Sequence, residues 1–307
     1  MIVIFRCIIC KIVLDFKKGE KGMPTQKRRL GVHTSIAGGV HFSMERAKVL
    51  GCNTVQIFSH NPRTWSVSPI PEDAILLFKE LRKAYDIDPV FIHSSYLINL
   101  ASPSSNIRGK SANLLIQEMD LADVLDADYV VLHTGSASQV AEAAARKTAI
   151  ATLREVSKKR YRKASILLEN TAGERGDITS RMTDLAEIID EVESPLISGV
   201  TIDTCHAFQA GYELTSRKGL TGMIKEIEAS MGLERIKLIH LNDSKKSFHS
   251  RVDRHEHIGS GSIGKRGLQT LINHPSLMNI PLILETPKKG ADDDLKNLAV
   301  VKKLIKP

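Results

Sequence analysis

Short apolar runs rich in β-branched residues alternate along this chain with longer amphipathic segments. Eight such runs stand at 29–32, 54–58, 89–92, 129–132, 165–168, 199–202, 236–239 and 281–284, each bounded by polar or turn-forming residues as strands are. Between them the segments 72–85, 111–125, 141–158 and 183–192 carry apolar residues at the helical period and predict crossover helices. The positions that follow the runs recur about every 36 residues from His33 to Glu285, the length of one strand, one helix and two loops. Eight consecutive strand-then-helix units predict an α/β chain closed into a (β/α)8 TIM barrel, because parallel strands need right-handed crossovers and eight of them close without edges. An open doubly wound sheet is the structural alternative. Residues 1–29 read as an N-terminal extension, with Met23 as a candidate start, and 30–307 as a single barrel domain.

Composition narrows the class without changing the fold. Hydrophobic residues at 42% and charged residues at 25% of 307 exclude a disordered or collagen-like chain. The longest apolar stretch, 1–14, is interrupted by Arg6 and Lys11, falls short of the ~20 residues that span a bilayer and lacks a signal-peptide cleavage site. No membrane partner is expected. Four cysteines make no disulfide scaffold, which points to a reducing cytoplasm, with nucleoid association in a prokaryote. Cys7 and Cys10 are a single pair without the partners of a zinc knuckle. The 43 Lys and Arg against 35 Asp and Glu leave +8, a balance that favours polyanionic partners such as nucleic acid.

Chemistry gathers just after the runs. They are followed by His33, Ser59-His60, His93, His133, Glu169, Asp203 with His206, His240 and Glu285. In a barrel these positions form the C-terminal rim, where catalysis is carried. Carboxylates converging on one rim repel each other unless cations neutralise them, so a mixed array of imidazole and carboxylate predicts metal. Asp253 and His255, two apart after the seventh run, can point the same way from an extended loop. The candidate ligands are therefore His93, His133, Glu169, Asp203, His206, His240, Asp253, His255 and Glu285. This set exceeds one tetrahedral site, so at least two metals are implied. Its imidazoles favour zinc, manganese or iron over magnesium, and clustered metals suit phosphoester hydrolysis.

Five ordered motifs run through the same region: HSSYLINL from His93, LLENTAG from Leu167, IDTCHAFQAGYEL from Ile202, HLNDSKKSFHSRVDRHEHIGSGSIG from His240 and LILET from Leu282. By these the chain, from about Leu30 to near its C-terminus, resembles the endonuclease IV family of apurinic/apyrimidinic endonucleases. The resemblance implies three zinc ions, with manganese compatible at one position. One would be held by His93, His133 and a bridging Glu169, a second by Glu169, Asp203, His240 and Glu285, and a third by His206, Asp253 and His255. It implies hydrolysis 5′ to an abasic site in duplex DNA, with Glu285 and Glu169 as the catalytic carboxylates, leaving 3′-hydroxyl and 5′-deoxyribose phosphate ends. Cleaning of blocked 3′ ends and a monomeric state are implied with it. Arg63 of SHNPRTW, with Tyr96 and Leu97 of SYLINL, would fill the gap left by a flipped nucleotide.

Two departures accompany the resemblance. Family members commonly continue the fourth strand with His-Pro-Gly and a second His, where this chain reads His133-Thr134-Gly135-Ser136-Ala137. His60 stands where some members carry Lys, which is expected to weaken one basic contact with DNA.

Other signals receive plainer readings. Residues 259–264 fit GxGxxG but follow the polar RVDRHEH rather than a buried strand, so they predict a turn whose amides face phosphate rather than a dinucleotide site. Cys205 reads as a buried thiol, and Asn170, Asn242 and Asp243 as orienters of neighbouring ligands. His33, His41, His60, His249, His257 and His274 are expected to be supporting, DNA-facing or exposed. A sugar isomerase or epimerase of the xylose-isomerase-like type would share the fold and a metal rim. A nonenzymatic DNA-binding barrel would share the charge but would not need nine ligands.

Overall fold

All eight apolar runs form strands of one ring. The structure, a computed structural model, describes residues 28–137, 139–159 and 163–306. The strands are β1 (Leu30–Val32), β2 (Val55–Phe58), β3 (Val90–His93), β4 (Tyr129–Leu132), β5 (Ser165–Glu169), β6 (Ile197–Asp203), β7 (Ile236–His240) and β8 (Leu282–Leu284). Parallel pairing runs in the order β1-β8-β7-β6-β5-β4-β3-β2. The ring closes where β1 meets β2: Thr34 N donates to Gln56 O at 2.8 Å, and His33 bridges to Gln56. This is a TIM barrel rather than an open sheet. Cys7, Cys10 and Met23, with most of the 1–29 segment, lie outside the described residues. No helix among the described residues is long and apolar enough to cross a membrane.

The crossovers are α1 (Phe42–Val49), α2 (Glu72–Ala84), α3 (Ser105–Leu125), α4 (Glu142–Lys158), α5 (Met182–Val192), α6 (Thr204–Ala210), α7 (Arg217–Ser230), α8 (Gly264–Ile272) and α9 (Asp293–Leu304). Helix α3 starts at Ser105 rather than at 111, because Ser104 caps it and accepts from Ile107 N at 3.4 Å. Its first turn is polar, so hydrophobic period alone does not reveal it.

Alternation along each strand divides the core in two. Outward residues such as Val32, Ile57, Ile92, Leu132, Leu168, Val200 and Leu284 pack beneath the helices in the main cluster. Inward residues Phe91, Val131, Leu167, Leu238 and Ile283 form a separate plug inside the barrel, floored by Tyr129. Two residues on from each plug position, on the same face of its strand, stand His93, His133, Glu169, His240 and Glu285. The apolar layer closes the barrel below and the polar layer opens above it. Strands approach closely enough to require glycine at two points: a Cβ on Gly31 would lie 2.0 Å from Thr54 O, and one on Gly199 2.1 Å from Arg235 O.

Candidate metal centre

The polar layer converges on Glu169. This carboxylate is fully buried at the end of β5. Its Oε2 lies 3.4 Å from His93 Nε2 and 3.0 Å from His133 Nε2, while its Oε1 lies 2.8 Å from His240 Nδ1. His240 Nδ1 is also 3.2 Å from Glu285 Oε2 and 4.0 Å from Asp203 Oδ2. Two groups of potential ligand atoms result, each within 4.8 Å: His93 with His133 and Glu169, and Glu169 with Asp203, His240 and Glu285. Glu169 belongs to both.

A third group stands beside them, placed by a helix cap. Asp203 ends β6 and caps α6, its Oδ1 accepting from His206 N at 2.8 Å. The cap brings Asp203 and His206 to the same side of the strand end. His255 joins them from a two-residue antiparallel ladder formed by Asp243–Ser244 and His255–Glu256. Asp253 spans the pair, with Oδ2 3.2 Å from His206 Nε2 and Oδ1 3.4 Å from His255 Nε2. Asp203 is thus within reach of two groups, a sharing that residue spacing does not reveal. Cys205 also falls near Asp253 and His255, but its thiol points to Arg254 O at 3.4 Å and burial pushes its pKa up, so it remains a thiol.

The imidazoles are oriented for ligation by their outer nitrogens. His93 Nδ1 donates to Ser94 O at 2.8 Å, His206 Nδ1 to Asn170 O at 2.9 Å, His255 Nδ1 to Glu285 O at 3.0 Å and His240 Nε2 to Gln56 Oε1 at 2.8 Å. With the proton committed there, a neutral ring turns a lone pair inward. His206 Nε2 and His255 Nε2 then face each other across 3.5 Å, and the lone pairs of His93 and His240 face carboxylate oxygens. Glu169 Oε2 is buried with no hydrogen-bond partner among the described residues. Acceptors opposed in this way repel unless a cation or extra protons lie between them. Imidazole and carboxylate donors together fit a borderline divalent cation.

Protonation of the metal-free array shows the same field. Burial opposes charge on His240, but Glu169, Glu285 and Asp203 outweigh it and raise the imidazole to about 9. Likewise His206, also buried, is held well above the ordinary histidine range by Asp203 and Asp253. Glu169 and Glu285 sit well below the ordinary carboxylate range, burial being outweighed chiefly by His240.

Three amides hold the carboxylates. Asn242 Nδ2 donates to Asp203 Oδ2 at 2.6 Å, and its Oδ1 accepts from Glu285 N at 2.8 Å. Asn170 Oδ1 accepts from Asp203 N at 2.7 Å. Gln56 donates to Glu285 Oε1 at 2.6 Å while accepting from His240. Sequence reasoning passed over Gln56, although it is the polar residue at an inward position of the VQIF strand. Asp243 does not orient a ligand: its carboxylate accepts from the amides of Gly259, Gly261, Ile263 and Gly264 at 2.9–3.3 Å. Those amides were expected to face phosphate, and an internal carboxylate satisfies them instead.

A cleft of about 550 Å³ opens over the centre, lined among others by His33, Phe58, Tyr96, Asn99 and Lys288. At its edge Tyr96 is 67% exposed, its ring 5.2 Å from that of Phe58 in edge contact. Leu97 is half-buried beside it, and Arg63 is exposed on the neighbouring loop. His60 faces inward rather than toward a DNA partner, its Nε2 2.9 Å from Glu118 Oε1 in the interior. The loop after β4 is pinned at Gly135, whose φ is +113° and whose Cβ would lie 2.2 Å from Asn99 Oδ1. Asn99 Nδ2 donates to Ser136 O there at 2.8 Å.

Over 269 residues the chain is 41% identical to the probable endonuclease 4 of Halothermothrix orenii, covering 87% of this chain and 97% of that protein. The chain belongs to the endonuclease IV family. The crystal structure of endonuclease IV from Thermus thermophilus superposes with a TM-score of 0.79 at 36% identity, over 90% of this chain and 98% of that one. A family model described as a xylose isomerase-like TIM barrel matches residues 44–304. A D-tagatose 3-epimerase-like protein shares the barrel at a TM-score of 0.68 and 22% identity, over 90% of this chain and 96% of that one, a likeness of fold alone.

Proposed function

We propose that this chain is a DNA-repair endonuclease that hydrolyses the phosphodiester 5′ to abasic sites in duplex DNA, using zinc held by the nine rim residues. Family membership supports the coarse assignment, an endonuclease acting on DNA. The observation that carries the metal-dependent reading is the inward convergence of imidazole nitrogens on the carboxylate oxygens of Glu169. His93, His133 and Glu169 would hold one ion, Glu169, Asp203, His240 and Glu285 a second, and His206 and His255 a third with Asp253 or the shared Asp203. When bound, such ions acidify water and neutralise charge on a phosphodiester.

The protein's own groups supply the rest. Glu285 faces the cleft at the end of β8, its Oε1 engaged by Gln56. A carboxylate held below its ordinary pKa stays ionised and available to orient a water for in-line attack at phosphorus. Tyr96 lines the cleft, Leu97 follows it and Arg63 lies on the neighbouring loop, so an aromatic ring, an apolar side chain and a cation would be available to occupy the space of an extruded nucleotide. The same geometry would accept a blocked 3′ end. Lys288 lines the cleft, but its Nζ is held as an ammonium by Asp294 Oδ2 at 2.8 Å and by His33 O, which favours hydrolysis over lyase chemistry.

The test is incubation of purified protein with two duplexes, one carrying a tetrahydrofuran abasic analogue and one a natural abasic site, with both product ends mapped. A cut on the 5′ side leaving a 3′-hydroxyl is expected. A cut on the 3′ side of a natural abasic site with an unsaturated sugar end, or turnover of a free ketose without DNA, overturns the reading.

A further inference from the structure

A carboxylate in the core-facing stripe of α3 ties together the two loops that carry Arg63 and Tyr96. Leu114, Leu115, Met119, Ala122 and Leu125 pack inward from this helix, and Glu118 stands among them at 1% exposure. Leucine would satisfy packing there without the desolvation cost of a carboxylate. Glu118 Oε1 accepts from Ser95 N at 2.9 Å and from His60 Nε2 at 2.9 Å. Ser95 Oγ donates to Pro62 O at 2.7 Å, and the Leu97 amide donates to Ser95 Oγ at 3.2 Å. The bonds close a ring through His60, Pro62, Ser95 and Glu118, from which Arg63 and Tyr96 project as the next residues on each loop. Glu118 Oε2 and His60 Nδ1 find no hydrogen-bond partner among the described residues, so the pair is costly to bury and the two Oε1 bonds offset that cost.

We infer that Glu118 is a positioning residue for damage recognition, holding loops 59–63 and 94–97 in one relation through His60 and the Ser95 amide. The inference rests on the proposed DNA-contacting role of Arg63 and Tyr96. Loops fixed before binding do not have to be ordered by the substrate, so the bond ring is expressed as affinity for the damaged duplex. It acts without touching metal or DNA.

The experiment compares Glu118→Leu, Glu118→Gln, Arg63→Ala and Tyr96→Ala in anisotropy titrations with abasic-analogue and undamaged duplexes, alongside metal content and thermal melts. Glu118→Leu is expected to fold with a somewhat lower melting temperature, since Ser95 N and His60 Nε2 lose their buried acceptor, and to keep its metal content while the affinity ratio between the two duplexes falls about tenfold, the scale of losing hydrogen bonds to a charged group. Glu118→Gln should restore the ratio, since a carbonyl oxygen in the Oε1 position can accept from both Ser95 N and His60 Nε2. If Tyr96→Ala loses discrimination and Glu118→Leu does not, the inference is overturned and the recognition loops stand. If Arg63→Ala and Tyr96→Ala also leave discrimination intact, the recognition reading falls and takes the inference with it. Should Glu118→Leu not fold, His60→Leu reads the same ratio, with loss supporting and retention overturning the positioning role.

Discussion

Glu169 Oε1 lies 2.8 Å from Nδ1 of His240, both residues fully buried, with the imidazole's other nitrogen already bonded to Gln56. In the metal-free protein that contact holds a proton shared between an imidazole and a carboxylate. A bound divalent cation would take the same two atoms as ligands. Proton and metal therefore compete for the same atoms, and the pH dependence follows with a definite sign.

The folded pKa of His240 is raised to about 9, above its unfolded value of about 6.5. Its contribution to metal-free stability is complete below about 6.5 and lost as pH rises through about 9. Glu169 and Glu285, held low, contribute above the ordinary carboxylate range and lose that contribution as pH falls. Melting of chelator-treated protein should thus fall between pH 7 and 9, while metal affinity climbs across the same window with release of protons. A metal titration whose affinity is flat from pH 6.5 to 9 would falsify this coupling. Zinc should restore activity to stripped protein at about three ions per chain, and a strict need for millimolar magnesium would contradict the donor set.

Glu285→Gln should fold normally, because the amide is nearly isosteric and the Asn242 bond to the Glu285 amide remains. It removes a negative charge from the centre and the group placed to orient water, so single-turnover cleavage should drop by about 10²–10⁴-fold. Near-wild-type rates with normal metal content would remove Glu285 from the chemistry.

Tyr96→Ala and Arg63→Ala should each weaken binding to abasic duplex by about 1–3 kcal/mol. Affinity for undamaged duplex should change less, and the arginine variant should show a slightly shallower salt dependence. Metal content should stay constant. Equal losses on damaged and undamaged DNA would make both side chains ordinary backbone contacts.

Asp243→Asn tests the glycine turn. Its carboxylate takes four loop amides at 2.9–3.3 Å and Ser244 N at 2.8 Å, and an amide nitrogen cannot accept any of them. Stability should fall by about 2–3 kcal/mol with metal stoichiometry unchanged. A phosphate-binding turn would instead show weaker DNA affinity at unaltered stability.

The barrel and its rim were legible in one dimension because both obey a period of two. An inward apolar residue followed two positions later by His or Glu recurs at Phe91 and His93, Val131 and His133, Leu167 and Glu169, Leu238 and His240, and Ile283 and Glu285. That pattern specifies strand, facing side and chemistry together. Distances across the ring do not follow from it. Asp203 reaches two ligand groups because a helix cap turns it, and His60, on a loop, points into the protein because Glu118 of α3 is there to receive it. The amides of 259–264 look free in sequence and are taken by Asp243 from the preceding ladder. For His60 and for the 259–264 amides the deciding partner lies on another helix or strand. Local propensity and period encode the elements and their faces, whereas the identity of a buried polar group's partner is set only when non-consecutive elements are packed and every donor and acceptor between them must be matched.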